Sequence, residues 1–163
     1  MKLNIEVFEI FGPEAKRSYW KVFEKHHYLS NQLNVAARCW IATLNGELVG
    51  FNSVLPQPSG TLSNAFREHR LVILADFQGM GLGTSLSECI GTIMRSEGKR
   101  YYSKTTNPKL GLYRNNSRKW RPTTKNGIAR KVNEGRNRNM SNSSVRYGVI
   151  CFSHEYMGED YNE

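Results

Sequence analysis

The stretch Arg70-Leu-Val-Ile-Leu-Ala-Asp-Phe-Gln78-Gly-Met-Gly-Leu-Gly83-Thr84 joins an apolar strand to the start of a helix through a glycine-rich turn. Gly79, Gly81 and Gly83 let the backbone approach a bulky anion and adopt dihedral angles that a side chain forbids. The first N–H groups of the following helix, together with its positive dipole end, point towards such an anion. The pattern therefore predicts a binding site for a phosphate or pyrophosphate group.

The length of 163 residues predicts a single domain, residues 1–163, with a core of its own. The three cysteines, Cys39, Cys89 and Cys151, are scattered and form no CxxC pair, which favours buried thiols in a reducing compartment. No signal-peptide pattern and no run of about 18 apolar residues is visible, so we expect a cytoplasmic protein with no membrane association. The histidines and acids lack metal-ligand spacing, and we expect no bound metal.

The positive charge is concentrated in one segment. Residues 1–98 contain nine Lys/Arg and nine Asp/Glu, whereas residues 99–146 contain fourteen Lys/Arg and one acid, Glu134. Such a segment attracts a polyanion and makes its binding dependent on salt. The alternative is an ordinary solvated surface loop.

Alternating and helical patterns predict an α+β domain with a mostly antiparallel sheet flanked by helices. The helices are expected from Gly12 to about His27, from Leu82 to Gly98, and over the short stretch 108–113. The Asn45-Gly46 pair predicts a hairpin turn. Residues 114–144 lose periodicity and form a basic insertion with the composition of a long loop or a partly disordered arm. Strands are expected at 3–10, 39–44, 47–55, 66–74, 100–105 and 145–155.

The glycine turn is neither a P-loop nor a good dinucleotide fingerprint, since it has no GxxxxGK[ST] and lacks the GxGxxG spacing. Its pattern is Gln-x-x-Gly-x-Gly, with Gln78, Gly81 and Gly83. Together with the order of elements over about residues 3–113, it resembles the acyl-CoA pyrophosphate loop of the GNAT (GCN5-related) N-acetyltransferases. The resemblance implies an acyltransferase, with acetyl-CoA as the expected donor and with a GNAT-like fold.

Three further segments are similar to the GNAT-type domains fused to ABC-type ATPases and, more distantly, to phage Mom-type proteins that modify DNA. These segments are His26-His-Tyr-Leu-Ser30, Gly50-Phe-Asn-Ser-Val-Leu-Pro-Gln-Pro-Ser-Gly60 and Thr106-Asn-Pro-Lys-Leu-Gly-Leu-Tyr113-Arg. This second resemblance, like the charge, points to a nucleic acid.

The GNAT resemblance implies a donor site built largely from backbone. The pyrophosphate would rest on the glycine turn, the pantetheine arm would pair with the strand before it, and the Leu71 N–H would stabilise the oxyanion. The residues implied in cofactor binding are Leu71, Val72, Ile73, Gln78, Gly79, Met80, Gly81, Leu82, Gly83, Thr84 and Asn107.

Many GNAT proteins carry a glutamate base eleven residues before the glutamine, but here that position is Arg67. His69 shares a strand face with Arg67 and Leu71 by the two-residue period and is a candidate base, or else a hydrogen-bonded strand histidine. Glu68 is a second candidate and faces the other way unless a bulge intervenes.

The last catalytic candidate is Tyr113, at the position where the family often carries a tyrosine that protonates the leaving thiolate. Asn107 and Tyr113 are six residues apart rather than the usual seven, and the alternative role for this tyrosine is a core aromatic.

His26, His27 and Tyr28 fall where the family lines its acceptor site, and the alternative role for them is a packed helix end. Aromatic residues are interleaved with cations after residue 98, so Trp120, with Arg118 and Lys119, is a candidate for stacking on bases and binding phosphates. The neighbouring Tyr101 and Tyr102 either do the same or pack into the sheet.

The acceptor predicted on these grounds is a nucleic acid, either a DNA base or a tRNA. The alternatives are a protein lysine or a small amine and, in another class of function, a nucleic-acid-binding module with a vestigial CoA site. The oligomeric state is expected to be a monomer or homodimer.

Overall fold

A computed structural model describes residues 4–27, 32–129 and 148–158. The chain comprises two compact units, Met1–Ser103 and Lys104–Glu163. The first unit contains helices α1 (Pro13–Phe23) and α2 (Leu82–Ser96), with short 3₁₀ turns at Glu24–His26 and Ala75–Phe77. Its strands are β1 (Ile5–Ile10), β2 (Arg38–Leu44), β3 (Glu47–Pro56), β4 (Ala65–Ile73) and β5 (Arg100–Thr105), the last of which runs across the boundary.

The sheet of the first unit is antiparallel from β1 to β4, in chain order, and β5 is added parallel to β4. The β2–β3 hairpin turns at Asn45 and Gly46, whose φ angles of 52° and 85° suit a tight hairpin turn. The mixed, mostly antiparallel sheet with helices confirms the expected α+β class.

The two helices cover opposite faces of this sheet. Trp20 and Phe23 of α1 pack on Phe51 of β3, with ring centroids 5.1 and 5.6 Å apart. On the other face, a Cβ at Gly50 would lie only 3.0 Å from Leu86 of α2, so the absent side chain lets α2 approach β3 closely. Because Gly50 and Phe51 are consecutive strand residues, they point to opposite faces.

The guanidinium of Arg38 joins three elements. It donates two hydrogen bonds to Glu9 of β1, at 2.8 and 3.0 Å, and two to Glu97 beyond α2, at 2.6 and 3.0 Å. Hydrogen bonds from Arg38 and Lys99 lower the pKa of Glu97 to about 2. The pairs are partly exposed, so their net stabilisation is modest.

The second unit contains α3 (Pro108–Asn116), β6 (Trp120–Pro122), β7 (Ile128–Ala129) and β8 (Ile150–Tyr156). β8 pairs antiparallel with both β6 and β7. Within residues 114–129, the expected irregular segment is interrupted by the end of α3 and by β6 and β7, which are too short to show periodicity and pair with β8. The remainder of that segment, from residue 130 to residue 144, lies outside the described residues.

The cysteines agree in part with the expectation of buried thiols. Cys39 is buried and its pKa is raised to about 11 by burial, whereas Cys89 and Cys151 are half-buried; all three are free. Among the described residues, no helix combines the length and the apolar character needed to cross a membrane.

Replacing Gly111 with alanine is expected to destabilise the fold, although alanine favours helices. A Cβ at Gly111 would lie 2.1 Å from the ring of Phe152 of β8. A ring cannot move aside as easily as the end of a flexible side chain. We expect the free energy of unfolding to fall by about 1–3 kcal/mol in denaturant titration.

The control is Gly60→Ala, because a Cβ added there would meet no other group within 4 Å. A Gly111→Ala protein as stable as the wild type would contradict the close crossing of α3 over Phe152.

Candidate active site

The glycine turn leads directly into α2. Gly79 and Gly81 have φ angles of 82° and 78°, in the left-handed region that favours glycine. Gly81 is the N-cap of α2, no side chain caps the first turn, and no acidic residue lies in it. Residues 79–81 are exposed. This helix end therefore combines uncapped backbone donors, a positive dipole end and exposure, which together suit an anion.

Gln78 fixes the start of the turn. Its side-chain amide Nε2 donates a hydrogen bond of 2.9 Å to the carbonyl oxygen of Ile73, the last residue of β4. The 3₁₀ turn at Ala75–Phe77 lies between the two residues. The glutamine of the motif thus closes a short loop from the strand end to the glycines.

The open side of β4 precedes this loop. β4 pairs with β3 along its length, and Leu71, Val72 and Ile73 lie opposite Asn52, Phe51 and Gly50. Within the described residues, the parallel pairing of β4 with β5 covers only Ala65–Arg67. The side of Leu71–Ile73 that faces away from β3 is therefore left outside the β4–β5 ladder.

A β-bulge at His69 decides which side chains of β4 share a face. Ser53 lies opposite Arg70, but Val54 lies opposite Glu68, so His69 is the extra residue. Cross-strand partners share a face, which places Glu68 on the face of Leu71 and puts Arg67 and Arg70 on the opposite face. The prediction that Arg67 and Leu71 share a face is wrong, because the two-residue period does not hold across the bulge.

The Glu68 carboxylate is the centre of a polar network. Its Oε2 accepts hydrogen bonds from Asn52 Nδ2 at 2.9 Å, from Ser87 Oγ at 2.7 Å and from the Tyr101 hydroxyl at 2.6 Å. Its Oε1 accepts one from Ser103 Oγ at 2.8 Å. All four donor residues are buried. Sequence reasoning missed these partners, although polar residues inside the apolar β3 and on the buried side of α2 were the available signal.

His69 lies among cations and hydrogen-bond donors. The Asn34 N–H donates to its Nε2 at 3.5 Å, and Arg70 Nη1 lies 3.4 Å from its Nδ1. Burial and the positive charges of Arg70, Arg67 and His27 lower the pKa of His69 to about 4. The imidazole is therefore neutral at pH 7 and is a weak base.

The candidates in the second unit differ in exposure. Asn107 accepts hydrogen bonds from the N–H groups of Lys109 and Leu110, at 3.0 and 3.4 Å, and so caps α3. Tyr113 on α3 is 41% exposed, whereas Trp120 is only 2% exposed and lies under the Arg114 guanidinium at 4.2 Å. Stacking of Trp120 on a base is wrong for this conformation, because Arg114 and Tyr156 already cover its ring.

The remaining acceptor candidates lie near the end of α1 or near α3. His26 ends the 3₁₀ turn, His27 makes an edge contact with Trp20 at 6.0 Å, and Tyr28 lies outside the described residues. Arg118 is exposed and Lys119 is half-buried. Tyr101 and Tyr102 are buried in the sheet, in agreement with the second of the two roles considered for them.

The family comparison agrees with this geometry. Residues 36–116 match the model of the acetyltransferase (GNAT) domain, a range that contains β2 to β5, the glycine turn and α3. The chain therefore carries a GNAT acetyltransferase domain, of the enzyme class that moves an acetyl group from acetyl-CoA to an amine. No curated protein matches the chain. The finer likeness to ABC-fused and Mom-type proteins stays a prediction.

Solved structures show the same fold at low sequence identity. A GNAT family acetyltransferase from Elizabethkingia anophelis with acetyl-CoA bound has a TM-score of 0.58 and 17% identity, over 93% of this chain and 95% of that one. The ribosomal-protein-S18-alanine N-acetyltransferase from Escherichia coli has a TM-score of 0.59 and 12% identity, with coverage of 94% and 93%. Arabidopsis thaliana Naa50 with the bisubstrate analogue CoA-Ac-MVNAL has a TM-score of 0.60 and 12% identity, with coverage of 93% and 97%.

Replacing Gly81 with glutamate is expected to abolish acetyl-CoA binding. The side chain would place a negative charge at the uncapped helix end, and repulsion between like charges at close range weakens binding at least about 100-fold. Isothermal titration calorimetry measures the change.

Gly98→Glu is the matched control. Gly98 follows the other end of α2 with a φ of 73°, and a Cβ added there would meet no other group within 4 Å. The new side chain therefore brings the same charge and similar backbone strain. Equal affinities of the two variants would remove the glycine turn from the donor site.

Proposed function

We propose that this protein is an acetyl-CoA-dependent N-acetyltransferase that binds the donor along the open side of β4. The observation that carries this proposal is the continuity of three features. First, one side of Leu71–Ile73 is left outside the β4–β5 ladder. Second, the Gln78 side chain closes the loop that follows the strand. Third, no side chain caps the N–H groups at the start of α2. An extended pantetheine arm suits the first feature, and a pyrophosphate suits the last.

The chemistry proposed is direct transfer. The amine nitrogen of the acceptor attacks the thioester carbonyl carbon, and the Leu71 N–H stabilises the oxyanion that forms. The carbon–sulfur bond then breaks, and Tyr113 protonates the departing thiolate. The amine loses its proton to water or to His69, whose imidazole is neutral at pH 7 but is a weak base.

The role of Tyr113 is tested by Tyr113→Phe. If its hydroxyl protonates the thiolate, kcat is expected to fall about 100-fold or more, with the Kd of acetyl-CoA unchanged. Steady-state kinetics and calorimetry measure the two quantities. Tyr19→Phe is the control, because Tyr19 on α1 loses the same hydroxyl at a similar exposure of 37%. A wild-type kcat in Tyr113→Phe would exclude this role.

For the acceptor we propose a nucleic acid. Residues 104–129 contain seven Lys/Arg and no Asp/Glu, and Lys104, Lys109, Arg118 and Lys125 are exposed. Arg114 lies on Trp120 and Arg121 pairs with Glu155, so both of these cations contact other groups of the unit. The similarity of three segments to Mom-type proteins and ABC-fused domains supports the same acceptor class.

The acceptor is tested by incubating the protein and acetyl-CoA with duplex DNA, single-stranded DNA or bulk tRNA. Intact-mass spectrometry is expected to show one added acetyl mass on a nucleic acid. The Lys109→Gln, Lys125→Gln double variant is expected to bind duplex DNA with a salt dependence about 1.8 smaller in log–log slope, because each phosphate contact contributes about 0.9. The double variant Lys21→Gln, Lys25→Gln removes equal charge from the first unit as a control.

The second candidate acceptor is a protein or small amine. Two of the structures with this fold are the ribosomal-protein-S18-alanine N-acetyltransferase and Naa50 with a CoA–peptide analogue. Acetylation of a peptide or polyamine, with every nucleic acid unmodified, would establish this alternative. Retained acetyl-CoA binding with no product on any acceptor would instead indicate a nucleic-acid-binding module with a vestigial site.

A further inference from the structure

The Glu68 carboxylate bridges β4 and β5 at the point where their backbone pairing stops. The last paired positions are Arg67 of β4 and Tyr102 of β5. Glu68, the next residue of β4, accepts hydrogen bonds from Tyr101 and Ser103, the two residues that flank Tyr102. Side-chain hydrogen bonds thus continue the connection between the strands where the backbone ladder ends.

The same carboxylate reaches two further elements. Asn52 lies on β3, and Ser87 lies on α2, five residues after Leu82, with which the helix begins. One side chain, that of Glu68, therefore connects β4, whose side is open, with β5 and with α2, which begins at the glycine turn. Ser87 also lies 3.4 Å from the Tyr101 hydroxyl, which closes the network.

Hydrogen bonds occupy most of the Glu68 carboxylate. It has about two lone-pair sites on each oxygen; three buried side chains donate to Oε2 and one donates to Oε1. The bulge also turns Glu68 towards α2 and away from the cations on the other face of β4. A general base needs an oxygen within reach of the amine that it deprotonates.

We propose that Glu68 is a positioning residue that fixes the divergence of β4 and β5, and that it is not the catalytic base. This inference rests on the proposed function, because the divergence matters through the acyl donor that lies along β4. Loss of any hydrogen bond to Glu68 then weakens the binding of acetyl-CoA. It does not change which group accepts the proton of the amine.

The test compares Glu68→Gln, Tyr101→Phe and Ser103→Ala with the wild type. Calorimetry gives the Kd of acetyl-CoA, and initial rates give kcat and the pH profile of kcat/KM. Ser53→Ala is the matched control: Ser53 is a buried serine of the same sheet whose Oγ has no hydrogen-bond partner among the described residues. Thermal melting checks that each variant is folded, and the two single-donor variants serve if Glu68→Gln does not fold.

We expect the Kd of acetyl-CoA to rise about tenfold in Glu68→Gln, because this variant removes the charge that strengthens all four hydrogen bonds. Tyr101→Phe and Ser103→Ala each remove one hydrogen bond, so we expect a smaller rise in these two variants. The acid limb of the pH profile is expected to stay in place in all of them, and the control is expected to match the wild type.

Two results would overturn the inference. If Glu68 were the base, Tyr101→Phe would move the acid limb to higher pH, because hydrogen bonds to a carboxylate favour its charged form, and Glu68→Gln would abolish that limb. An unchanged Kd in all three variants would exclude positioning. If the wild-type protein binds no acetyl-CoA, the proposed function itself is wrong. That result is distinguishable from the two results that overturn the role of Glu68.

Discussion

One extra residue in β4 controls where the charged groups of this strand lie. Without the bulge at His69, strand alternation would put Arg67 and Leu71 on one face. With it, Glu68 and Leu71 share the face that α2 covers, while Arg67 and Arg70 lie on the face that α1 covers. One inserted residue moves every side chain on one side of the bulge to the other face of the strand. The separation of Glu68 from Arg67 and Arg70 therefore depends on this bulge.

The bulge also explains how a carboxylate comes to lie among buried groups. On the face of α2, Glu68 meets Ser87, Asn52, Tyr101 and Ser103, none of which carries a charge. Removing a carboxylate from water is costly unless hydrogen bonds replace its hydration. The four donors supply that replacement, and each would lose this hydrogen bond if the carboxylate were removed.

The sequence predicted the features that depend on neighbouring residues. The hairpin at Asn45 and Gly46 and the glycine turn before α2 follow from local backbone requirements, and both are present in the structure. The strands β2, β3 and β5 follow from their alternating or continuous apolar patterns, and their bounds agree with the expected ones to within one residue.

Long-range contacts could not be predicted in the same way. Ser103 is 35 residues from Glu68 in the chain, and no local pattern connects them. The bulge depends on the register between β3 and β4, which alternation alone does not set. Counting cations likewise failed to show that Arg114 is internal and covers Trp120, because a guanidinium over a ring and one in solvent contribute equally to composition.

The glycines at the two ends of α2 have a consequence for how this chain can vary in evolution. Gly81 and Gly98, both with positive φ, fix where the helix begins and where the chain leaves it. One residue inserted between Gly81 and Ser87 would turn the glycine turn by about 100° relative to the Glu68 network. The spacing between Gly81 and Ser87 is therefore constrained against insertions and deletions.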